Sequence, residues 1–442
     1  MSTSMRSLTR RTARKAALPA LLLLAAFGMF GPSLAAQTVA IRGGTIHTLA
    51  GEPFVGTVVL KDGRVSAVGP DVEVPPGAEV IDAEGRHVYP GMFDAMSQLG
   101  LTEIGAVDVT NDSREQGDFN PHLQAATAVH PATEHIPVAR ANGITHTLSA
   151  PQGGIIPGQA SLIGLDGWTV EEMEVNPGAA MVVNFPSMRT RRGFRGRFFG
   201  PPRAFADVKK EYRERVALLD EWLEAGRAYA RAQKAGTAEP NLQLQAMAWV
   251  VTGDLPVLIN ANGARDIRNA VEWAEGQGIR YVLTGGREAW KVADLLAEKH
   301  VGVILGPTQT MPSGTDAAYD EAYANPGKLE AAGVKIAFGT FGSSNSRTLP
   351  YEAAQGVPYG LSHEGALAAV MKNGAEILGY GDELGTIEEG KIANLIVTDG
   401  DPLEIQTQVL DLIIFGRRVS TDNKHRRLYE KYRARPKKRV VS

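Results

Sequence analysis

Short apolar runs recur through the middle of the chain and are separated by longer segments. Runs of five to eight residues rich in Val, Ile, Leu and Phe are typical of buried strands. The predicted strands are Val88–Ala95, Gly143–Ser149, Ala180–Phe185, Pro256–Ala261, Arg280–Thr284, Val301–Gly306 and Lys335–Thr340.

The segments that separate these runs predict helices. The predicted helices are Phe205–Gln233, Leu242–Val251, Ala264–Glu275, Arg287–Glu298 and His363–Leu378. Strands that alternate with helices favour an α/β fold with a parallel sheet and crossover helices. A (β/α)8, TIM-like barrel needs eight strands, and the missing strand is predicted near Ala160–Leu165.

Both flanks of this region are rich in short β-type runs. Residues 39–88 contain several, and the Asp62-Gly63 pair between two of them predicts a hairpin. Further runs lie at Gly385–Val397 and Val409–Val419. The first flank is too short to close a core alone, so we expect the two flanks to be partners.

The first residues differ in kind from the rest of the chain. A basic segment ends at Lys15, an apolar run extends from Ala16 to Phe30, and small residues follow up to Ala36. This order is typical of an export signal cleaved after Ala35 or Ala36. A membrane anchor is the alternative, but the run is shorter than the ~20 residues that span a bilayer. We therefore expect a periplasmic or secreted protein with no stable membrane span after cleavage.

Composition narrows the classes of function. The chain has 442 residues, 43% of them hydrophobic, and a net charge of −3, which becomes −8 without residues 1–36. An acidic chain does not favour nucleic acid as a partner. The cysteine count is zero, which excludes disulfides, thiolate nucleophiles and thiolate metal ligands.

The stretch from Pro90 to Gly100, PGMFDAMSQLG, carries the main motif. It resembles the first barrel strand of the amidohydrolase superfamily, where Pro-Gly-apolar-apolar-Asp leads into His-x-His. Three further phrases are similar to the imidazolonepropionase-like branch of that superfamily: GGREAWKVAD at 285–294, RTLPYEAA at 347–354 and NGAEILG at 373–379.

The resemblance implies a barrel of the metallo-dependent hydrolase type and a small β-sandwich built from both chain ends. It divides the chain into a signal peptide (1–36), the first half of the sandwich (37–88), the barrel (89–383), the second half of the sandwich (384–421) and a basic tail (422–442). The implied activity is hydrolysis of non-peptide carbon–nitrogen bonds in a cyclic or linear amide.

The family holds zinc or another divalent metal at the carboxyl ends of its barrel strands, and this chain carries other residues there. The positions that match the family's ligands hold Met96, Gln98, Asn260, Asn262, Gly285 and Phe341. None of these groups is an imidazole or a carboxylate, the ligands that such metals need. We therefore expect no metal cofactor, and we interpret these residues and Arg287 as the lining of a pocket for a small-molecule ligand.

Other histidines and two loops are alternative sites. His122, His130, His135 and His146 are close in sequence, but no pair has a spacing that aims two imidazoles at one ion. The glycine-rich segment 150–159 could present amides at the barrel mouth, or it could be a plain turn. The arginine-rich segment 189–203 could clamp an anion, or it could be a solvated loop. The basic tail is expected to form a short solvated helix.

Two functional hypotheses follow. The first is an exported amidohydrolase-like enzyme that works without the standard metals, with Glu103, Asp108 or Asp112 as base and an arginine to stabilise charge. The second is a catalytically silent barrel that binds a small ligand or a partner. Carboxylates that converge beside Arg287 would favour the enzyme, whereas a pocket plugged by Phe341 and Met96 would favour the silent barrel.

Overall fold

The computed structural model describes residues 38–190, 203–314 and 317–435. The predicted signal peptide and most of the arginine-rich loop therefore lie outside the described residues. Within the described ranges, no helix is long and apolar enough to cross a membrane.

The strands form two eight-stranded sheets. In chain order they are β1 Val39–Ile46, β2 Phe54–Lys61, β3 Arg64–Gly69, β4 Glu79–Asp82, β5 His87–Pro90, β6 Met92–Ser97, β7 Ile144–Ser149, β8 Gly158–Gly164, β9 Glu174–Asn184, β10 Val257–Ala261, β11 Tyr281–Gly285, β12 Val303–Leu305, β13 Ile336–Phe338, β14 Leu395–Thr398, β15 Val409–Ile414 and β16 Arg417–Val419.

The central sheet follows chain order from β6 to β13 and curls into a nearly closed barrel. The amide of Phe341, just after β13, donates to the carbonyl of Met96 in β6 across 2.9 Å, which joins the last strand to the first. The seven predicted strands and the predicted eighth are all present. The eighth, β8, differs from a regular (β/α)8 barrel because it is antiparallel to both β7 and β9.

The helices pack mainly outside this barrel. They are α1 His135–Arg140, α2 Val170–Met173, α3 Phe205–Lys234, α4 Leu242–Thr252, α5 Ala264–Gln277, α6 Ala293–Glu298, α7 Glu321–Ala331, α8 Leu349–Ala354, α9 His363–Met371, α10 Asn373–Leu378 and α11 Lys424–Arg433. Short 3-10 turns lie at Asp108–Thr110, Ala125–Ala128, Ala289–Val292, Ser346–Thr348 and Val357–Tyr359. Their apolar faces and the outer faces of the strands share one core that includes Ile259, Leu283 and Phe338.

Two predicted helices are interrupted. The helix predicted over His363–Leu378 is divided at Lys372 into two helices. Next to the break, the side chain of Asn373 donates to the carbonyl of Ile336 across 2.8 Å. The helix predicted from Arg287 begins only at Ala289, as a 3-10 turn. Arg287 therefore stays in the loop that follows β11.

The second sheet combines both ends of the described chain. Its order is β16-β15-β14-β5-β1-β2-β3, with β4 paired to β1. The predicted Asp62-Gly63 hairpin is confirmed: both residues have positive φ, 53° and 80°, as a two-residue turn of this kind requires. The strands share an apolar core that includes Ile41, Leu60 and Leu395. The partnership of the two flanks is thus observed as one sheet, while the two-layered sandwich stays a prediction.

Candidate functional site

A cavity of about 180 Å³ lies where β10, β11, β12 and β13 end. Parallel barrel strands present their carboxyl ends at one mouth, so the residues that follow them converge there. Five of the seven residues that the sequence predicted for a pocket line this cavity: Asn260, Asn262, Gly285, Arg287 and Phe341. Its other polar lining residues are Thr308, Thr310 and Asn325, and no carboxylate or imidazole of the described residues is part of the lining.

Three asparagines form a hydrogen-bonded row across the ends of β9 and β10. The Nδ2 of Asn260 donates to Oδ1 of Asn184 across 3.1 Å, and the Nδ2 of Asn262 donates to Oδ1 of Asn260 across 3.2 Å. Asn184 in turn donates to the carbonyls of Gly153 and Gly154, each across 3.2 Å. The amides at the mouth therefore hold one another in place and leave Oδ1 of Asn262 at the end of the row.

The glycine-rich segment contributes two carbonyls to this row. The amide of Gln152 donates to Ser113, and the amides of Ile155 and Ile156 both donate to the carbonyl of Asp118. Because these three amides already have partners, they are not available to a ligand.

Gly285 leaves room for the asparagine row. It has a φ of +86°, and a Cβ there would lie 2.7 Å from Oδ1 of Asn262 and 3.0 Å from Oδ1 of Asn260. Any side chain at this position would thus displace the amides and strain the backbone. The space beside Gly285 is filled by the side-chain amides of Asn260 and Asn262.

Arg287 is the one cation among the described residues that line the cavity. It is half-buried, and its Nη2 donates weakly to Oγ1 of Thr310 across 3.4 Å. No carboxylate of the described residues forms an ion pair with it. A partly desolvated guanidinium without a partner is suited to an anionic ligand, because the fork of Arg donors matches a carboxylate.

The loop after β12 is held by a buried carboxylate that is not part of the cavity lining. Glu352 is 3% exposed and accepts from the amide and hydroxyl of Thr308, at 2.8 and 2.9 Å, and from the amide of Gln309 at 3.0 Å. These bonds fix the loop after β12. Glu352 therefore positions Thr308 and is not placed to act on a ligand.

Phe341 lines the cavity and packs against the core cluster that contains Met96. Phe341 lines the cavity with a φ of +53°, a conformation that costs a bulky residue energy and that the bond to Met96 helps to hold. Met96 is 7% exposed and belongs to the core beneath Phe341. Neither Met96 nor Gln98 is among the cavity's lining residues, so the prediction that they form its surface is not met by this cavity.

Asp94 ties the first and last barrel strands together below the cavity. Its Oδ1 accepts from the amide of Thr340 at 3.0 Å, and its Oδ2 accepts from the hydroxyls of Thr340 and Ser346 at 2.5 and 2.8 Å. Complete burial raises the pKa of Asp94 to about 7, and these hydrogen bonds offset part of the effect.

The donor set at the mouth does not fit a metal of the family type. Thioether, amide, glycine and phenyl groups stand at the matching positions, and divalent metals need imidazole or carboxylate ligands. Over the described residues, no group of three or more His, Cys, Asp or Glu could hold an ion.

None of the alternative histidines and carboxylates lines the cavity. The ring of His135 bonds the carbonyl of Glu103 at 2.8 Å, and the Glu103 carboxylate accepts from Thr133. His146 is buried against Phe93, and burial lowers its pKa to about 3. Asp108 and Asp112 are exposed and do not line the cavity.

Four polar residues at the site were missed by sequence reasoning. Asn184 ends a predicted strand, and Thr308 and Thr310 follow another, so the rule that sites lie at strand ends could have found them. Asn325 lies within α7, where the sequence offers no such signal. Its Nδ2 donates to the carbonyl of Gly286 across 3.0 Å, which fixes the loop that carries Arg287.

The fold and this mouth define a TIM-like barrel of the metallo-hydrolase type, and comparisons with known proteins agree. A sequence profile of the amidohydrolase family matches residues 291–424. An amidohydrolase of Thermotoga maritima has a crystal structure that covers 86% of this chain and 99% of its own, with a TM-score of 0.74 and 28% identity.

Two characterised relatives match most of the chain. The imidazolonepropionase of Symbiobacterium thermophilum is 26% identical over 387 residues, which is 77% of this chain and 83% of that protein. The amidohydrolase tasK of Hapsidospora irregularis is 24% identical over 397 residues, or 82% of this chain, but this match spans only 40% of the longer relative. These matches support the amidohydrolase superfamily that the sequence motifs predict.

Proposed function

We propose that this protein binds a small amide that bears a carboxylate at the mouth of its barrel, and that it does not hydrolyse that ligand by metal-activated water. The observation that supports this proposal is the cavity lining, which combines the guanidinium of Arg287, without an ion-pair partner among the described residues, with side-chain amides and hydroxyls. The superfamily acts on carbon–nitrogen bonds, and the proposal keeps that class of compound while assigning this chain a binding role.

Arg287 would bind the carboxylate of the proposed ligand. A carboxylate in the cavity would receive the guanidinium fork, and Thr310 is close enough to Arg287 to contribute a hydroxyl. Asn262 gives the amide half, because a side-chain amide can donate to a ligand carbonyl and accept from a ligand N–H at the same time. The row that ends at Asn262 holds this group in one orientation.

The lining also argues against the enzyme hypothesis. Hydrolysis of an amide needs a base to activate water, and no carboxylate or imidazole of the described residues lines the cavity. Phe341 stands at the position that matches the family's catalytic aspartate, and a phenyl group moves no proton. Of the two residues that the sequence analysis linked to a silent barrel, Phe341 lines the cavity and Met96 does not.

The leading segment supports an exported location. Residues 1–36 have the order of a cleavable signal, so we propose that the protein acts in the periplasm or outside the cell. Amino-terminal sequencing of the protein from fractionated cells tests this point. A mature chain that begins at Met1 in the cytoplasmic fraction would contradict it.

The proposal is tested by binding measured beside metal content. The full chain is purified without chelators, analysed for zinc and manganese before and after dialysis against both ions, and titrated calorimetrically with dihydroorotate, a carboxylated cyclic amide, and with hydantoin, which lacks the carboxylate. Two partial relatives, a dihydroorotase and a D-hydantoinase, suggest these probes. We expect no stoichiometric metal, no hydrolysis, and binding that requires the carboxylate.

Two arginines that flank β11 provide matched variants. Arg287 follows β11 at the mouth, whereas Arg280 precedes it at the other end of the barrel and donates to the carbonyl of Gly253 across 2.8 Å. We expect Arg287→Gln to weaken binding about tenfold to a hundredfold, since hydrogen bonds to charged groups contribute ~1.5–3 kcal/mol, and Arg280→Gln to leave it unchanged. Stoichiometric metal with metal-dependent hydrolysis, or equal losses in both variants, would contradict the proposal.

A further inference from the structure

The last described helix, α11 Lys424–Arg433, lies on the surface with no buried residue. Its first turn is anchored: the Oδ1 of Asn423 accepts from the amides of His425 and Arg426, at 2.9 and 3.1 Å, and Asn423 is itself buried. Beyond that turn the helix approaches α1, but none of its own residues is buried. The sequence analysis expected a solvated charge run here.

One side of α11 is apolar although it faces solvent. Leu428 and Tyr432 are four residues apart and Tyr429 is three before Tyr432, so the three side chains share one face. Leu428 is 38% exposed, Tyr432 is 60% exposed and Tyr429 is 62% exposed. A solvated charge run does not require this alignment.

Cations border this apolar face on both sides. Lys424 and Lys431 are two turns apart along one border, and Arg426 and Arg433 are two turns apart along the other. The Arg433 guanidinium lies 5.6 Å from the ring centroid of Tyr429, so it flanks the aromatic directly.

The other side of the helix turns towards the protein. Arg427 there pairs with Asp422 at 2.9 Å and with Glu134 at 3.8 Å. The apolar face lies on the side of the helix opposite Arg427, and its three side chains are exposed.

A cationic cavity lies at the base of the same helix. It has a volume of about 280 Å³, and its lining includes Arg347, His425 and Arg426 but no carboxylate of the described residues. Ile405, which is 74% exposed, stands at its edge. The cavity thus places anion-binding groups beside an exposed apolar residue and next to the helix.

We propose that α11 and the cavity at its base dock the protein onto the surface of an anionic lipid bilayer. An interfacial helix buries an aromatic and aliphatic face at the level of the acyl boundary and sets its cations among anionic headgroups, which is the arrangement seen here. The whole chain is acidic, with a net charge of −3, so the attraction is local and would orient the barrel relative to the membrane. Nucleic acid explains the cations but not the aligned Leu428 and Tyr432.

The test is co-sedimentation of the full chain with vesicles. One set contains phosphatidylglycerol mixed with phosphatidylcholine, and the other contains phosphatidylcholine alone. We expect binding to the anionic set at low salt, weak binding to the neutral set, and a decrease of roughly fivefold in partitioning for each cation removed by Lys424→Gln or Lys431→Gln.

A charge-neutral variant separates docking from simple electrostatics. Replacing Leu428, Tyr429 and Tyr432 by Ser keeps every cation and should lower partitioning by about tenfold or more, because apolar burial is lost. The matched control replaces three apolar residues elsewhere on the surface by Ser: Val109, Trp168 and Leu242, which are 88%, 92% and 75% exposed. This control should bind the vesicles as the parent does.

Three results would overturn the proposal. They are no binding to the anionic vesicles, equal binding by the Ser variant of the helix and by the parent, and tighter binding to single-stranded DNA than to the vesicles. Urea midpoints equal to that of the parent verify that each variant is folded.

Discussion

Replacement of Asp94 by Asn should change how the stability of the barrel depends on pH. Asp94 is fully buried, and it bonds Thr340 and Ser346 just beyond the last strand. An Asn side chain can still accept from the amide of Thr340 and can donate to a hydroxyl. The substitution therefore removes the titration while it keeps part of the bonding.

The magnitude follows from the pKa. Burial raises the pKa of Asp94 from 3.8 to about 7, a shift of roughly 3 units, and each unit corresponds to 1.36 kcal/mol. The folded state thus binds the proton more tightly than the unfolded state does. The resulting stability is present below the unfolded pKa and is lost as pH rises through the folded pKa. Linkage gives a loss of about 2–3 kcal/mol between about pH 5 and pH 8 from Asp94 alone.

Urea unfolding of both chains at these two pH values measures the effect. Other groups titrate in both chains, so the informative quantity is the difference in unfolding free energy between parent and Asp94→Asn. We expect the parent's advantage over the variant to shrink by about 2–3 kcal/mol from about pH 5 to pH 8.

An exposed aspartate provides the control. Asp254→Asn should change stability by less than about 0.5 kcal/mol at either pH, because the residue is exposed. A parent advantage that stays constant or grows with pH would refute the reasoning. It would mean that Asp94 is ionised in the folded protein at acid pH and that its hydrogen bonds outweigh its burial.

Two further substitutions test the core and the pocket. Burial lowers the pKa of His146 to about 3, so the stability that depends on its neutral form is present above its unfolded pKa of 6.5 and is lost as pH falls below that value. On acidification to about pH 5, the unfolding free energy of His146→Leu should therefore fall by about 2 kcal/mol less than that of the parent. Parallel urea-unfolding profiles for the two proteins would contradict this. Gly285→Ala should lose about 1–2 kcal/mol from left-handed backbone strain, and the new Cβ would also crowd Asn262. Gly77→Ala, at a φ of +82° with no neighbouring atoms, measures backbone strain alone. Equal losses of unfolding free energy in the two variants would show that Asn260 and Asn262 move aside at no cost.

Local patterns were sufficient for most of the elements. An apolar run such as Pro256–Ala261 and a helix such as α4 carry their own signals, including the Asn241 cap and the left-handed Gly253 that bound the helix. The Asp62-Gly63 turn is equally local. These features depend on residues close in sequence, so they can be predicted from it.

The direction of β8 and the start of the helix after β11 depend on distant contacts. Gly158–Gly164 reads as a strand in either direction, and its antiparallel pairing follows from the short connection to β7. Arg287 fitted a helical pattern, but the structure leaves it in a loop fixed by Asn325, which lies in α7. That loop puts the guanidinium in the cavity.

The sequence by itself determined the family, the barrel and the chemical types of the groups at the mouth, because motifs and residue identities are properties of the chain. Tertiary structure decided which groups meet. It joined Asn184, Asn260 and Asn262 into one row, left Arg287 without an ion-pair partner among the described residues, and set Met96 beneath Phe341 rather than on the cavity surface. Such contacts depend on strand register and loop paths across the whole barrel, and no local pattern encodes them.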